Sequence, residues 1–252
     1  MSVSFRRWLS VSASAALAAL LLAGHASADP AGDKVLADME EATNRAKTQF
    51  FEYEVINQEP GKAEKKMGIQ VWLKGEKRVT EFLAPADMKG TKILIQSPTQ
   101  MYVYLPAFGK IRRIASHVND QGFMGLTFSP DDLANLRYSH AYATQLASET
   151  PAEWKVVATT KPGQTTPYGK IEFTIAKDKK VPTELKYYNA AGQHVKTETR
   201  TGYTCEGNVC VPGELKMVDH TKGGHWTKMV RKSWKVNQEM SDDMFSKRSL
   251  EK

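Results

Sequence analysis

The feature that most constrains the fold is a long series of short, strand-like segments. Phe51, Tyr53 and Val55 alternate with Glu52 and Glu54, which is the period of a β-strand with one buried face. Pro and Gly punctuate similar runs about every 8–12 residues. The pattern predicts strands at 67–73, 78–83, 91–96, 101–105, 110–116, around 145, and at 153–159, 170–175, 182–189, 194–203, 211–220 and 225–237. Such spacing favours an antiparallel sandwich or barrel.

Helical patterns interrupt the series twice. Residues 33–48 carry apolar side chains at helical spacing, with Asp29 or Asp33 as the candidate N-cap. Ser129, Pro130 and Asp132 form a capping box that predicts a second helix ending near residue 136. A long meander that begins with one helix and inserts another favours a half-closed barrel. The helices would cover its open side, above an apolar concave interior.

The N-terminal segment has the pattern of a secretion signal. Arg6 and Arg7 precede an apolar run at 11–22, and Ala26-Ser27-Ala28 supplies the small residues of a cleavage site. A membrane-spanning helix needs about 20 apolar residues, so this run is too short to serve as one. We expect residues 1–28 to be a cleavable signal peptide, residues 29–252 to form a single domain, and the mature protein to lie in the periplasm. His25 stands where lipidation would require Cys, so we expect no lipid anchor.

The net charge and the motifs of the exported part exclude several functions. Without residues 1–28 the net charge falls from +7 to +5, which lacks the dense basic patterning of nucleic-acid-binding proteins. The common hydrolase, metalloprotease, P-loop and dinucleotide-binding motifs are absent. His220 and His225 flank a Gly-Gly turn and are better explained as exposed loop residues than as metal ligands. Asp131 and Asp132 are better explained by helix capping than by acid–base catalysis. We therefore expect no enzyme activity, no cofactor and no metal.

The two cysteines, Cys205 and Cys210, lie in the exported part. An even number of cysteines in an oxidising compartment predicts one disulfide, and Gly207 and Asn208 between them favour a turn. We expect a hairpin tip closed by its own disulfide.

Residues 69–133 hold the most informative side chains. Several strands there carry large apolar residues on both faces, which fits either burial in an ordinary two-sided core or one face that lines a cavity. Gly122-Phe123-Met124-Gly125 places two apolar residues between glycines, as in a flexible lid, although the loop could also be tucked into the core. Lys110, Arg112 and Arg113 form a basic cluster, either a solvated strand end or a contact for lipid phosphates or a membrane partner.

These residues also carry a family resemblance. The sequence resembles the LolA-like outer membrane lipoprotein-sorting proteins in the order and spacing of Trp72, Glu81-Phe82-Leu83-Ala84-Pro85, Lys89-Gly90-Thr91, Tyr104-Leu105-Pro106, Arg112-Arg113-Ile114, Phe123-Met124-Gly125, Phe128-Ser129 and Asp132-Leu133. The resemblance implies an unclosed, strongly curved antiparallel β-barrel with a helical lid and an apolar cavity. Leu126 and Thr127 depart from it, because Ser and Asp usually follow the Phe-Met-Gly motif. The departure makes this segment more apolar and puts any polar role of the position in doubt.

The resemblance implies a soluble periplasmic carrier that binds acyl chains of lipoproteins or lipids between the inner and outer membranes. The candidate cargo-binding residues are Trp72, Phe82, Leu94, Tyr102 and Tyr104 in the lining, and Phe123, Met124 and Phe128 in the lid. An inner-membrane transporter of the RND class is a candidate partner, and membrane contact would be transient. The alternative is a regulatory or sensor module that binds an inner-membrane protein. A lipid hydrolase would need a nucleophile and a base that the sequence does not show.

Overall fold

The computed structural model describes residues 29–114, 123–134 and 137–251. Their secondary structure is mostly β. The helices are α1 (Pro30–Thr43) and α2 (Pro130–Ala134), and the strands are β1 (Thr48–Gln58), β2 (Lys65–Lys74), β3 (Lys77–Ala84), β4 (Lys92–Ser97), β5 (Gln100–Leu105), β6 (Lys110–Ile114), β7 (Tyr142–Glu149), β8 (Glu153–Thr160), β9 (Lys170–Ala176), β10 (Val181–Tyr188), β11 (His194–Thr201), β12 (Thr204–Glu206), β13 (Val209–Val211), β14 (Glu214–Asp219) and β15 (His225–Val236).

The described strands form one large antiparallel sheet and one small hairpin. The sheet has 13 strands in the order β6-β5-β4-β3-β2-β1-β15-β14-β11-β10-β9-β8-β7, and β12 pairs only with β13. The last strand, β15, pairs with β1 in the middle of the sheet, whereas β6 and β7 form its two edges. Because no backbone ladder joins β6 to β7, the curved sheet does not close. The expected unclosed barrel is confirmed.

Local capping explains where the helices begin and end. Asp29 is the N-cap of α1, since its side chain accepts a hydrogen bond from the N–H of Ala31. The helix ends at Thr43, so its predicted extension to residue 48 is wrong. The reason is that Thr48 already pairs with Lys74 in the sheet. The second helix has the predicted capping box: Ser129 N–H donates to Asp132, and Asp132 N–H donates to the Ser129 hydroxyl.

The inner face of the sheet, which bears α1, holds most of the core. One cluster joins β1–β5 to the β12–β13 hairpin, and a second joins α1 to β7–β11. Helix α1 approaches β7 closely, because a Cβ added at Gly32 would lie 2.8 Å from the backbone nitrogen of Leu146. No helix in the described ranges is long and apolar enough to span a membrane.

The outer face of the sheet has a smaller core. The C-terminal 3-10 turns, Asp242–Phe245 and Lys247–Glu251, pack over β2–β6 and bury Phe245 and Leu250 against the sheet. The Gln96 side chain donates a hydrogen bond to the backbone oxygen of Phe245 and helps to hold this segment.

Candidate functional site

A cavity of about 240 Å³ lies between the inner face of the sheet and the elements that cover it. Strands β1–β4 form one wall, and the opposite wall comes from α1, residues 126–133, β10, β11 and the segment after β13. Most of the lining is apolar, including Met39, Phe51, Val55, Ile69, Val71, Phe82, Ile93, Leu126, Phe128, Leu133, Leu185, Val211, Leu215 and Met229. Such a surface binds apolar chains by removing them from water.

Strand register decides which side chains reach the cavity. Ile69 lies opposite Phe82 and Val71 opposite Thr80, and all four side chains line the cavity. Side chains in a strand alternate between the two faces, so the residues between these positions point to the outer face. Of the five candidate lining residues, Phe82 therefore lies in the cavity wall, where it is 2% exposed.

The other four candidate lining residues do not line this cavity, which corrects the expectation. Trp72 lies opposite Val79, and Leu94 lies between Val79 and Tyr102, so these side chains share the outer face. Tyr104 is in the same cluster, which the C-terminal segment covers. The sequence pattern showed large apolar residues on both faces, but only the register and the position of the C-terminal segment show which face borders the cavity.

The candidate lid, residues 123–134, lies on the cavity side. Phe128 is 4% exposed and lines the cavity, and Met124 packs against the inner-face cluster without lining the cavity. Both Met124 and Gly125 have positive φ angles, +57° and +78°, so the chain turns sharply before Leu126. Gly122, the first glycine of this loop, and the side chain of Phe123 lie outside what the structure describes.

A buried polar network anchors this segment. The N–H of Thr127 donates to the Thr227 hydroxyl at 2.9 Å, and the Thr127 hydroxyl donates to the backbone oxygen of Met217 at 3.1 Å. Thr227 in turn donates to Asn57, whose side-chain oxygen also lies 2.9 Å from Nε2 of His225. Thr127 therefore has a polar role, although the apolar pattern of the segment had put one in doubt. The expectation that His225 is an exposed loop residue is also wrong, because it is buried in β15.

Helix α2 is anchored by one carboxylate. Asp132, besides capping the helix, accepts a hydrogen bond from the Tyr168 hydroxyl at 2.8 Å and pairs with Lys196 at 2.9 Å. Burial and the neighbouring Asp132 charge raise the pKa of Tyr168 far above its ordinary value, so its hydroxyl stays protonated and remains a donor. The segment over the cavity is thus held by side-chain contacts rather than by strand pairing.

The disulfide hairpin covers another part of the cavity. Cys205 and Cys210 form the expected disulfide and lie opposite each other in the β12–β13 pair. Val209 and Val211 are buried in the inner-face cluster, and Val211 lines the cavity. Arg231 donates to the backbone oxygen of Val211 and to the Thr204 hydroxyl, which ties the hairpin to β15. Sequence reasoning missed the position of this hairpin over the cavity. The predicted strand at 211–220 merged Val211, the last residue of β13, with β14.

Charged groups also reach the cavity wall. Arg78 on β3 and Arg200 on β11 both line it. Burial, and to a smaller extent the nearby charge of Arg200, lower the pKa of Arg78 to about 10. Arg200 donates through Nε to Glu198 at 2.7 Å, and Glu198 also accepts from the Tyr187 hydroxyl. Sequence analysis missed both arginines, since alternation alone does not distinguish an inward-facing arginine from a solvated one.

The basic cluster lies at an edge of the sheet, away from the cavity. Lys110, Arg112 and Arg113 are exposed on the edge strand β6. Beside them the Phe108 ring is 63% exposed, with the Arg112 guanidinium 5.7 Å from its centroid. The exposed aromatic ring and the cationic side chains form one patch, which we call the edge patch.

Comparisons with known proteins agree with this architecture. A family model described only as that of an uncharacterized protein matches residues 74–252. The fold is similar to a DUF1329 family protein from Desulfovibrio piger, at 22% identity and a TM-score of 0.80 over 87% of this chain and 98% of that one. A domain assigned as an outer membrane lipoprotein-sorting protein, from Vibrio parahaemolyticus, matches at 20% identity and a TM-score of 0.76, over 88% and 100% of the two chains.

A third solved structure extends the likeness. A LolA superfamily protein from Nitrosomonas europaea matches at 18% identity and a TM-score of 0.70, over 86% of this chain and 98% of that one. No curated protein was found to match the sequence.

Proposed function

The chain belongs to the family whose model matches residues 74–252 and has a LolA-like fold, and on this premise we propose that it is a soluble periplasmic carrier of acyl chains. In this proposal residues 1–28 are a signal peptide that is cleaved after export, and residues 29–252 act as one domain. The carrier binds the acyl chains of a lipoprotein or lipid during transfer between the inner and outer membranes. Its work is binding, without a chemical reaction.

The single observation that carries the proposal is the apolar cavity beneath the inner face of the sheet. Each buried methylene group contributes about 0.8 kcal/mol, so eight of them contribute ~6 kcal/mol before the cost of association. A chain bound this way is shielded from water. It can also be released, because no covalent bond holds it.

The open barrel supports loading and release. Strands β6 and β7 are not paired with each other, so the two edges can separate without breaking a strand ladder between them. Residues 126–133 cover the cavity through side-chain hydrogen bonds, such as those of Thr127 and Asp132. Moving this segment requires breaking a few local bonds rather than unfolding the sheet.

The edge patch is the proposed site of transient membrane contact. Phe108 can insert at the membrane interface while Lys110, Arg112 and Arg113 approach lipid phosphates. In this proposal an inner-membrane transporter of the RND class, which the family resemblance implies, supplies the cargo.

Native mass spectrometry tests the carrier proposal. The mature protein is purified from its own periplasm and weighed with and without lipid extraction. We expect an acylated ligand in the wild type and its loss in Leu126→Trp, because Leu126 lines the cavity and tryptophan fills part of it. Leu83→Trp is the matched control, since Leu83 is 39% exposed and should keep the ligand.

Circular dichroism verifies that both variants fold. A wild-type protein that carries no ligand and takes up no added acyl chain would overturn the carrier proposal. A stable complex with a membrane protein in that case would favour the regulatory module instead.

A further inference from the structure

Some charged side chains around the cavity have a partner of opposite charge among the described residues, whereas Arg78 does not. Asp132 is paired with Lys196, and Glu198 is paired with Arg200 at 2.7 Å, so these carboxylates already have cationic partners. Arg78 lines the same cavity, and no hydrogen bond or ion pair joins its side chain to any group of the described residues. It is a cation in a mostly apolar wall without a counter-charge.

An uncompensated guanidinium in such a place is costly to the free protein. Removing a charge from water is unfavourable unless another charge or several hydrogen bonds replace the water. Burial is the largest cause of the lowered pKa of Arg78. It lowers the pKa because it disfavours the charged form of the side chain, which is the same energetic penalty. A ligand that brings a negative charge to this position would remove the penalty.

Two other polar residues line the same cavity as Arg78. Tyr53 lines the cavity, and its hydroxyl stays protonated because burial raises the pKa of Tyr53 even though Arg78, Arg231 and Arg200 lower it. Gln49 also lines the cavity, and its buried side-chain oxygen has no hydrogen-bond partner in the described part of the chain.

Register places Gln49 level with the arginine. Gln49 lies opposite Leu73, and Leu73 lies opposite Arg78, so the glutamine and the arginine occupy one level of the inner face. The amide of Gln49 can turn its NH₂ group toward an anion. The wall thus offers a guanidinium, a phenol and an amide around an apolar space.

We infer that the cavity selects acyl ligands with an anionic head, a carboxylate or a phosphate, which Arg78 binds while the chain lies against the apolar wall. The inference rests on the proposed carrier function and specifies its ligand class. Arg78 supplies the charge and a planar pair of N–H donors, a geometry that matches both carboxylates and phosphates. Tyr53 and Gln49 donate the remaining hydrogen bonds. A neutral head placed at the same level would leave the guanidinium uncompensated.

Calorimetric titration of delipidated mature protein tests the inference, with each ligand below its critical micelle concentration. Palmitate supplies a carboxylate, palmitoyl lysophosphatidate a phosphate, and monopalmitoylglycerol the same chain with a neutral head. We expect at least one anionic ligand to bind about tenfold or more tightly than the neutral one. Whichever anion binds more tightly shows which class of head group the site prefers.

Variants assign the preference to the arginine. Arg78→Met should abolish the preference and leave the affinity for monopalmitoylglycerol within about twofold, whereas Arg78→Lys should keep part of it because the charge remains. Arg248→Met is the matched control, since Arg248 is exposed in the C-terminal segment. Equal affinities for all three ligands in the wild type, or a preference that survives in Arg78→Met, would overturn the inference and leave the carrier proposal standing. If none of the ligands binds, both fail.

Discussion

Replacing Arg78 by methionine should make the ligand-free protein more stable. Burial lowers the pKa of Arg78 from the ordinary value of an arginine to about 10, and one pKa unit corresponds to 1.36 kcal/mol. The whole difference corresponds to ~3 kcal/mol. Because the side chain is only partly buried, we expect a gain of about 1–3 kcal/mol in the free energy of unfolding. Methionine has a similar length and needs no counter-charge.

The size of the effect depends on pH. Below pH 10 Arg78 is charged in both the folded and the unfolded chain, so its penalty is fully present at neutral pH. The penalty is relieved only as the pH rises above about 10, where the folded protein releases the proton before the unfolded chain does. The comparison therefore belongs at pH 7–8.

Urea unfolding followed by circular dichroism measures the gain. The protein must first be delipidated, because a bound ligand would stabilise the wild type by mass action. With a urea dependence of about 2 kcal/mol per M, the midpoint of Arg78→Met should rise by about 0.5–1.5 M. Arg248→Met should leave it unchanged. An unchanged or lower midpoint in Arg78→Met would refute the reasoning, because it would mean that the guanidinium is already compensated in the free protein.

Three further predictions concern the rest of the chain. Leu94→Ala should lower the free energy of unfolding by about 2–5 kcal/mol in urea titrations and leave acyl affinity unchanged, since Leu94 is fully buried on the outer face. Serines in place of Cys205 and Cys210 should lower it by ~2 kcal/mol, because the disulfide closes a short loop with a sequence separation of 5. Burial lowers the pKa of His225, so the unfolding free energy should fall as the pH drops through about 6.5, and His225→Gln should flatten that pH profile.

Much of the local structure could be predicted from sequence alone. The capping box at Ser129 and Asp132 and the disulfide of Cys205 with Cys210 appear in the structure as expected. Both features join residues that lie within a few positions of each other in the chain, so a short stretch of sequence includes both interacting residues. The candidate site was predicted less well. Phe82 and Phe128 line the cavity, but Trp72 lies on the opposite face of the sheet.

The sequence by itself determined the succession of strands, the turns between them and the class of fold, because alternation and turn residues act over a few positions. Only the tertiary structure decided which face encloses the cavity. Side chains alternate along a strand with the same period on both faces, so the sequence does not show which face borders the cavity. Distant segments decide this: α1 packs on the inner face, and Phe245 and Leu250 pack on the outer face. The same long-range packing turned Arg78 inward, so that a residue expected from the sequence to be an ordinary surface charge became a partly buried cation without a partner among the described residues.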